Sequence, residues 1–285
     1  MSKKYRRHYF ILVAALLSLA ATLLFLLEAI FSKHLAYDFP FISYGGTFRW
    51  SSFKIGSADI SLYWSAHVVG ILAMCLVCVL RKDRYEIKTY QAIITGVLLG
   101  VFGFIGAKAL FIIENFKPVM QNGIGVGGVS FFGTVLFMPL VIPLIALVMK
   151  TDPLKYLDYC TPAGILMLAC IRLGCFMRGC CHGITMWIGV NPVIVPTQLI
   201  ECTLDLFLLF FILKAEQARK FEKGLYAVFM GAYGVIRFLT EFFRDTPKTH
   251  FGMSNGQCFS ILCVVIFTIY CIIRVQKAKH EENKL

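Results

Sequence analysis

The sequence predicts an all-α integral membrane protein, a bundle of about eight transmembrane helices with both termini in the cytoplasm. Three observations carry that expectation. The 285 residues are 58% hydrophobic and only 15% charged, with a mean hydropathy of +0.74, far from the composition of a water-soluble domain. Apolar runs of about 20 residues, the length that crosses a hydrocarbon core, recur from one end of the chain to the other. Basic residues gather in alternate connections, the asymmetry that orients membrane helices.

The runs cover residues 10–31, 60–80, 91–113, 129–149, 158–178, 198–214, 224–243 and 257–274. The first follows Met1-Ser-Lys-Lys-Tyr-Arg-Arg-His. A signal peptide starts that way, but its apolar region is about half as long, so this segment reads as an uncleaved helix. Residues 32–59 form the longest polar stretch, with Gly45, Gly46, Trp50 and Lys54, and read as a folded outer loop. The second run carries His67, a hydrogen-bonded helix contact rather than a base. In the third, Gly96, Gly100, Gly103 and Ala107 share a face where another helix can approach closely. Residues 123–128, Gly-Ile-Gly-Val-Gly-Gly, read as a flexible outer loop; no strand precedes them, so a phosphate-cradling loop is a poor match. The sixth run is the shortest and opens on Gln198, Glu201 and Asp205, after a Pro196 that suits a helix start. The chain thus divides into an N-terminal helix and loop, 1–59, and a membrane domain, 60–285.

The net charge is +12. Its distribution argues for membrane lipid and against nucleic acid. With the N-terminus inside, the cytoplasmic side holds Lys3, Lys4, Arg6 and Arg7, the connections around Arg81, Lys150 and Arg219, and the basic C-terminal tail. The outer side holds fewer, among them Lys33, Arg49, Lys117, Arg178, Arg244 and Lys248. Basic inner loops attract anionic headgroups. Most of the 11 cysteines fall inside apolar runs, where they act as small hydrophobes and give no disulfide framework.

Chemistry concentrates in the fifth, sixth and seventh runs. Tyr233, Arg237, Glu241 and Arg244 stand at helical spacings of four, four and three, one polar stripe on an otherwise apolar helix. A guanidinium in a bilayer needs an anionic partner or a polar cavity. Arg172, late in the fifth run, reaches the depth of Arg237, and two such forks suit a phosphodiester, each binding two oxygens. The plainer alternative is that both snorkel, or pair with Glu201 and Glu241. Glu201 either orients an arginine, binds a headgroup hydroxyl or merely marks a polar helix entrance. Cys175, Cys180, Cys181 and His182 invite a metal reading, since thiolate and imidazole bind zinc. No second ligand pair stands on the outer side, and adjacent cysteines seldom serve one tetrahedral ion. Packing or redox chemistry is therefore preferred, and neither metal nor cofactor is expected.

These residues also carry a resemblance. Arg172-x-Gly174-x-Phe176-x-x-Gly179-x-x-x-Gly183 resembles the signature of bacterial prolipoprotein diacylglyceryl transferases, Gly-Arg-x-Gly-Asn-Phe-x-Asn-Gly-Glu-x-x-Gly. Gly127-Gly-Val-Ser-Phe-Phe-Gly133, Pro196-Thr-Gln-Leu-Ile-Glu201, Tyr233 to Arg244 and Met253-Ser-Asn-Gly-Gln257 are similar to further family segments, in the same order, and Leu62-Tyr-Trp64 is similar to the start of its first helix. The similarity spans about 60–274. It implies the family's seven helices with one added at the N-terminus, in a bacterial cytoplasmic membrane. It implies transfer of a diacylglyceryl group from phosphatidylglycerol to the lipobox cysteine of a preprolipoprotein signal peptide. Arg237, Arg172 and Glu241 are then the expected catalytic residues. Tyr233, Glu201, Gln198, Arg244, Gly128, Gly174 and Gly183 are the expected substrate-binding ones. There are departures. The family's histidine is Phe132 here, its asparagines are Cys175 and Arg178, its glutamate is Cys180, and a tyrosine of its first helix is Ser65. A phenyl ring takes no proton. Two other readings follow: a relative with another acceptor, and a lipid- or lipoprotein-binding protein without catalysis. A transporter of anionic solutes is disfavoured because the spans show no internal repeat.

Overall fold

Long apolar segments fold as helices because, in lipid, only a helix or a closed barrel satisfies its own backbone polar groups. The computed structural model describes residues 15, 16, 18, 52–55, 58–123, 128–188 and 191–282. Its helices are α1 (Leu62–Arg81), α2 (Thr89–Glu114), α3 (Phe116–Asn122), α4 (Phe131–Val148), α5 (Pro153–Arg178), α6 (Thr197–Gln217), α7 (Leu225–Thr240) and α8 (Asn255–Glu282). Short 3-10 turns, Lys82–Tyr85 and Glu241–Phe243, extend α1 and α7. Among the described residues, six helices are long and apolar enough to cross a membrane: α1, α2, α4, α5, α7 and α8. The chain is a multi-pass membrane protein. Glu201, Asp205 and Lys214 keep α6 out of that set despite its 21 residues. The predicted first span lies outside the described residues, apart from helical positions 15, 16 and 18. There Ala15 is buried, and the Ser18 hydroxyl lies 2.8 Å from that of Thr203 on α6. Most of the predicted outer loop, 32–59, and the middle of the glycine-rich segment 123–128 also lie outside.

The connections hold more order than the all-α expectation allowed. Among the described residues there are three antiparallel hairpins: β1 (Ser52–Ile55) with β2 (Ala58–Ser61), β3 (Thr185–Ile188) with β4 (Asn191–Ile194), and β5 (Lys248–His250) with β6 (Met253–Ser254). Their registers pair Ser52 with Ser61, Thr185 with Ile194 and Lys248 with Ser254.

The chain forms two compact units. One comprises Ile71–Gly164 and Phe221–Tyr226. Here Gly96 and Gly103 of the predicted stripe, together with Gly106, which was not part of it, pack α2 onto two neighbours. A Cβ at Gly96 would lie 2.7 Å from the backbone of Cys75 on α1, and one at Gly106 would lie 2.9 Å from the carbonyl oxygen of Gly133 on α4. The Thr134 hydroxyl donates to the Gly103 carbonyl at 2.7 Å across the same seam. Tyr159 donates its hydroxyl to the Cys78 carbonyl at 2.8 Å. The Asp158 carboxylate accepts the backbone N–H groups of Gly224 and Leu225 at 3.2 and 2.8 Å, capping the start of α7. Just before α5, Asp152 accepts a 2.8 Å hydrogen bond from Lys223, which holds its carboxyl below the usual range. Phe132 is buried within this unit.

The other unit comprises Met1–Gly70, Ile165–Lys220 and Ala227–Leu285. Gly174 lets α5 approach the start of α1, since a Cβ there would lie 3.0 Å from that of Ala66. Arg178, at the end of α5, stands over the Tyr63 ring at 4.8 Å. Gly234 lets α7 approach α8, where its Cβ would lie 2.9 Å from the Ser260 carbonyl oxygen.

Candidate active site

All charged groups of the candidate site belong to this second unit. Glu201 lies one turn into α6 and is 1% exposed. Three guanidiniums converge on it. Arg172 Nε from α5 is 2.5 Å from Oε2, Arg237 Nη1 from α7 bonds Oε1, and Arg244 Nη1 is 3.4 Å from the same oxygen. Arg237 also reaches Glu241 Oε2 through Nη2 at 2.6 Å, and Arg244 Nε lies 3.6 Å from that oxygen. One planar fork therefore bridges two carboxylates from different elements. The i,i+4 spacing of Arg237 and Glu241 made this pair legible in advance. The partnership of Arg172 and Glu201, a possibility in the sequence, is realised. Three cations face two carboxylates, so one positive charge is in excess, inside a region where charges are weakly screened.

The stripe is held from the far side by a residue that sequence reasoning passed over. Glu241 Oε1 accepts the Ser254 hydroxyl at 3.0 Å and the Thr246 hydroxyl at 2.8 Å. Ser254 also accepts the Gln257 N–H at 3.2 Å, while Gln257 Oε1 accepts the Ser254 N–H at 3.1 Å. That reciprocal pair is a capping box at the start of α8, and Ser-x-x-Gln was visible in the sequence. Gly256 allows α8 to begin so close, since a Cβ there would lie 2.8 Å from the Glu241 carboxyl.

The other predicted residues fall in several places. Tyr233 is buried one turn before Arg237, its ring stacked on Phe229 at 5.8 Å. Gln198 donates to the Cys180 carbonyl at 2.7 Å, and Thr197 to that of Cys181 at 3.0 Å, so the first turn of α6 fixes the loop after α5. Gly183 is a backbone crossing. It pairs with Arg244, its N–H bonds the Val195 carbonyl at 2.8 Å, and a Cβ would lie 2.7 Å from Val195 Cβ. Gly174 serves the approach of α1 and α5. Gly128 lies in the other unit, with its carbonyl 3.5 Å from Lys108 Nζ. Asp205, one turn beyond Glu201, is fully buried, and neither carboxyl oxygen has a hydrogen-bond partner among the described residues. His182 Nδ1 lies 3.0 Å from the Gly183 carbonyl oxygen.

Sequence reasoning set the cysteines aside, yet the sulfurs of Cys175, Cys180 and Cys181 all lie within 4.8 Å of one another. Hydrogen bonds from the Cys175 and Cys180 thiols, then the Arg244 and Arg172 charges, hold the Cys181 thiol below its ordinary range.

With this geometry, the arrangement can grip an anionic, bidentate group such as a phosphodiester. Known proteins point to the same chemistry. A family model described as prolipoprotein diacylglyceryl transferase matches residues 51–273. A phosphatidylglycerol–prolipoprotein diacylglyceryl transferase of Clostridium tetani is 29% identical over 237 residues, 75% of this chain and 93% of the relative. A protein of Clostridium perfringens, named as the second such transferase, is 27% identical over 229 residues, covering 72% and 88%. One of Ehrlichia ruminantium is 28% identical over 259 residues, covering 80% and 96%.

Proposed function

Because the chain belongs to the prolipoprotein diacylglyceryl transferase family, we propose that it moves a diacylglyceryl group from phosphatidylglycerol to the thiol of a lipobox cysteine in a preprolipoprotein. The observation that carries this reading is the excess of one guanidinium over the carboxylates that pin the cluster. Arg172, Arg237 and Arg244 are oriented by Glu201 and Glu241, yet are not neutralised by them. A bound phosphodiester completes the charge balance. As the carbon–oxygen bond breaks, negative charge grows on the leaving phosphate, and pre-oriented donors in a dry site stabilise that growth.

In this reading Arg237 and Arg172 bind the phosphate and Glu241 fixes Arg237. Tyr233, Gln198, Glu201 and Arg244, with Gly174 and Gly183, shape the site; the family resemblance adds Gly128 to the substrate-binding residues. The site faces outward from a bacterial cytoplasmic membrane. All three hairpins then lie outside, the connections bearing Arg84, Lys150 and Arg219 lie inside, and the first run and α6 complete eight spans with both termini in the cytoplasm. Residues 60–285 form the transferase domain and 1–59 an added helix and loop.

Phe132 favours a second reading, a lipid-binding protein without catalysis, because the family's histidine is missing at that position. Purified full-length protein incubated with phosphatidylglycerol carrying labelled acyl chains and a lipobox peptide separates the two. The transferase reading requires label on the peptide and none on a peptide with serine in place of the cysteine. Bound lipid without labelled peptide overturns it.

A further inference from the structure

The structure assigns a second function to the loop beside the arginines: we propose that Cys175, Cys180 and Cys181 hold a thiophilic divalent cation, zinc in the first instance, whose fourth position is open to the acceptor thiol. The activation step rests on the transferase reading; the ion site does not.

Four observations converge. The three sulfurs lie within 4.8 Å of one another. Tetrahedral zinc with bonds of about 2.3 Å needs sulfurs about 3.8 Å apart, so small side-chain rotations close the site. Second, Cys181 has a φ of 62°, left-handed backbone that a non-glycine residue adopts at a cost. That turn removes the objection to adjacent cysteines, because it brings both sulfurs to one point. Third, the ligands are pre-positioned. Cys175 lies in the last turn of α5, three residues after Arg172, and the carbonyls of Cys180 and Cys181 are tied to Gln198 and Thr197. Fourth, burial is graded. Cys175 is buried, Cys180 is intermediate and Cys181 is exposed, so the cluster opens outward on one side. Among the described residues no fourth cysteine, histidine or carboxylate completes the group. Three protein ligands and one open position mark catalytic zinc, whereas structural zinc is closed by four.

The charge balance is favourable. Three thiolates and a dication sum to −1, one helical turn from the Arg172 guanidinium on α5. The chemistry supplies what Phe132 cannot. Thioether formation needs a thiolate, and a thiol that coordinates zinc gives up its proton outright. The acceptor thiol binds the open position and releases its proton to water. Its sulfur then forms a bond to the glyceryl carbon, and the bond from that carbon to the phosphate oxygen breaks. The electron pair leaves with glycerol phosphate, toward the arginines. The thioether product is neutral and a poor ligand, so it departs and the position reopens.

The test uses full-length protein purified in detergent under reducing conditions. Zinc is measured in the purified protein, and cobalt(II) is then exchanged in. About one zinc per chain and a thiolate-to-cobalt charge-transfer band are expected, both lost in Cys175→Ser and in Cys181→Ser. A lipobox peptide should shift the cobalt ligand-field bands, and the same peptide with serine for cysteine should not. Folded, reduced wild-type protein with neither zinc nor the band overturns the site, as does a disulfide among the three cysteines. In the transfer assay, stripping zinc should cost at least about a hundredfold, the scale of a lost proton-removing group, and zinc should restore the rate. A full rate without zinc overturns the proposal and leaves the transferase reading intact. Bound zinc and a peptide shift without any transfer sink the transferase reading and leave the site standing.

Discussion

Arg237→Lys tests whether geometry or charge alone governs the arginine cluster. Arg237 bonds Glu201 through Nη1 and lies 2.6 Å from Glu241 Oε2 through Nη2, so a single rigid plane spans two carboxylates. An ammonium keeps the charge but concentrates it at one point on a flexible stem. It can satisfy one carboxylate fully, or both poorly. Losing one hydrogen bond to a charged group costs about 1.5–3 kcal/mol. At about 1.4 kcal/mol per tenfold, that slows transfer by roughly 10- to 150-fold. Arg237→Ala also removes a donor from the developing phosphate charge, at roughly a further hundred- to thousandfold. The assay is the initial rate of lipid transfer to a fluorescent lipobox peptide, read as a mobility shift, with purified variants in phosphatidylglycerol vesicles. Size-exclusion profiles matching wild type exclude misfolding as the cause. A lysine variant at the wild-type rate refutes the requirement for a fork. Lysine and alanine variants equally impaired refute any share for the charge itself.

Glu201→Gln keeps the shape of the side chain but withdraws the anion shared by Arg172, Arg237 and Arg244; breaking a buried ion pair this way costs about 3–5 kcal/mol. Thermal unfolding in detergent should show a large loss of stability, and an unchanged melting profile would mean the cluster is solvated. Ser254→Ala removes both the α8 cap and a donor to Glu241, and should cost about 1 kcal/mol of stability while lowering the transfer rate; Ser254→Thr should retain most of both. For orientation, Arg219→Cys should add no labelling by an impermeant thiol reagent, applied to whole cells, beyond that of the parent chain with its exposed Cys181, and Pro247→Cys should add labelling. Outside labelling at 219 would reverse the assigned topology.

The spans described by the structure were legible because hydropathy and length act locally. Arg237 and Glu241 were legible because helical spacing alone brings them together. Arg172 with Glu201 was legible only as an alternative, since no periodicity links residues on different helices. Arg244 on Glu201 was not anticipated. It depends on the crossing of Gly183 and Arg244, a long-range backbone pairing that leaves no local mark. The three hairpins escaped because strands of two to four residues carry too little alternation to read. The closeness of the three cysteine sulfurs was not legible for a related reason. Adjacent side chains diverge on ordinary backbone, and a positive φ at Cys181 cannot be foreseen from residue type. Ser254 was legible and passed over; Ser-x-x-Gln stood before an apolar run, and only its second bond, to Glu241, required the structure.

The bond from Ser254 to Glu241 has a consequence for how the protein comes into being. The ribosome delivers Arg172, Glu201, Arg237 and Glu241 in that order, and Ser254, one of the two hydroxyls bound to Glu241, emerges last, at the threshold of α8. A nascent chain halted before that point carries every charge of the site, with Glu241 held by Arg237 and Thr246 but lacking its Ser254 bond. The last bond that orients Glu241 therefore arrives with the insertion of the last helix.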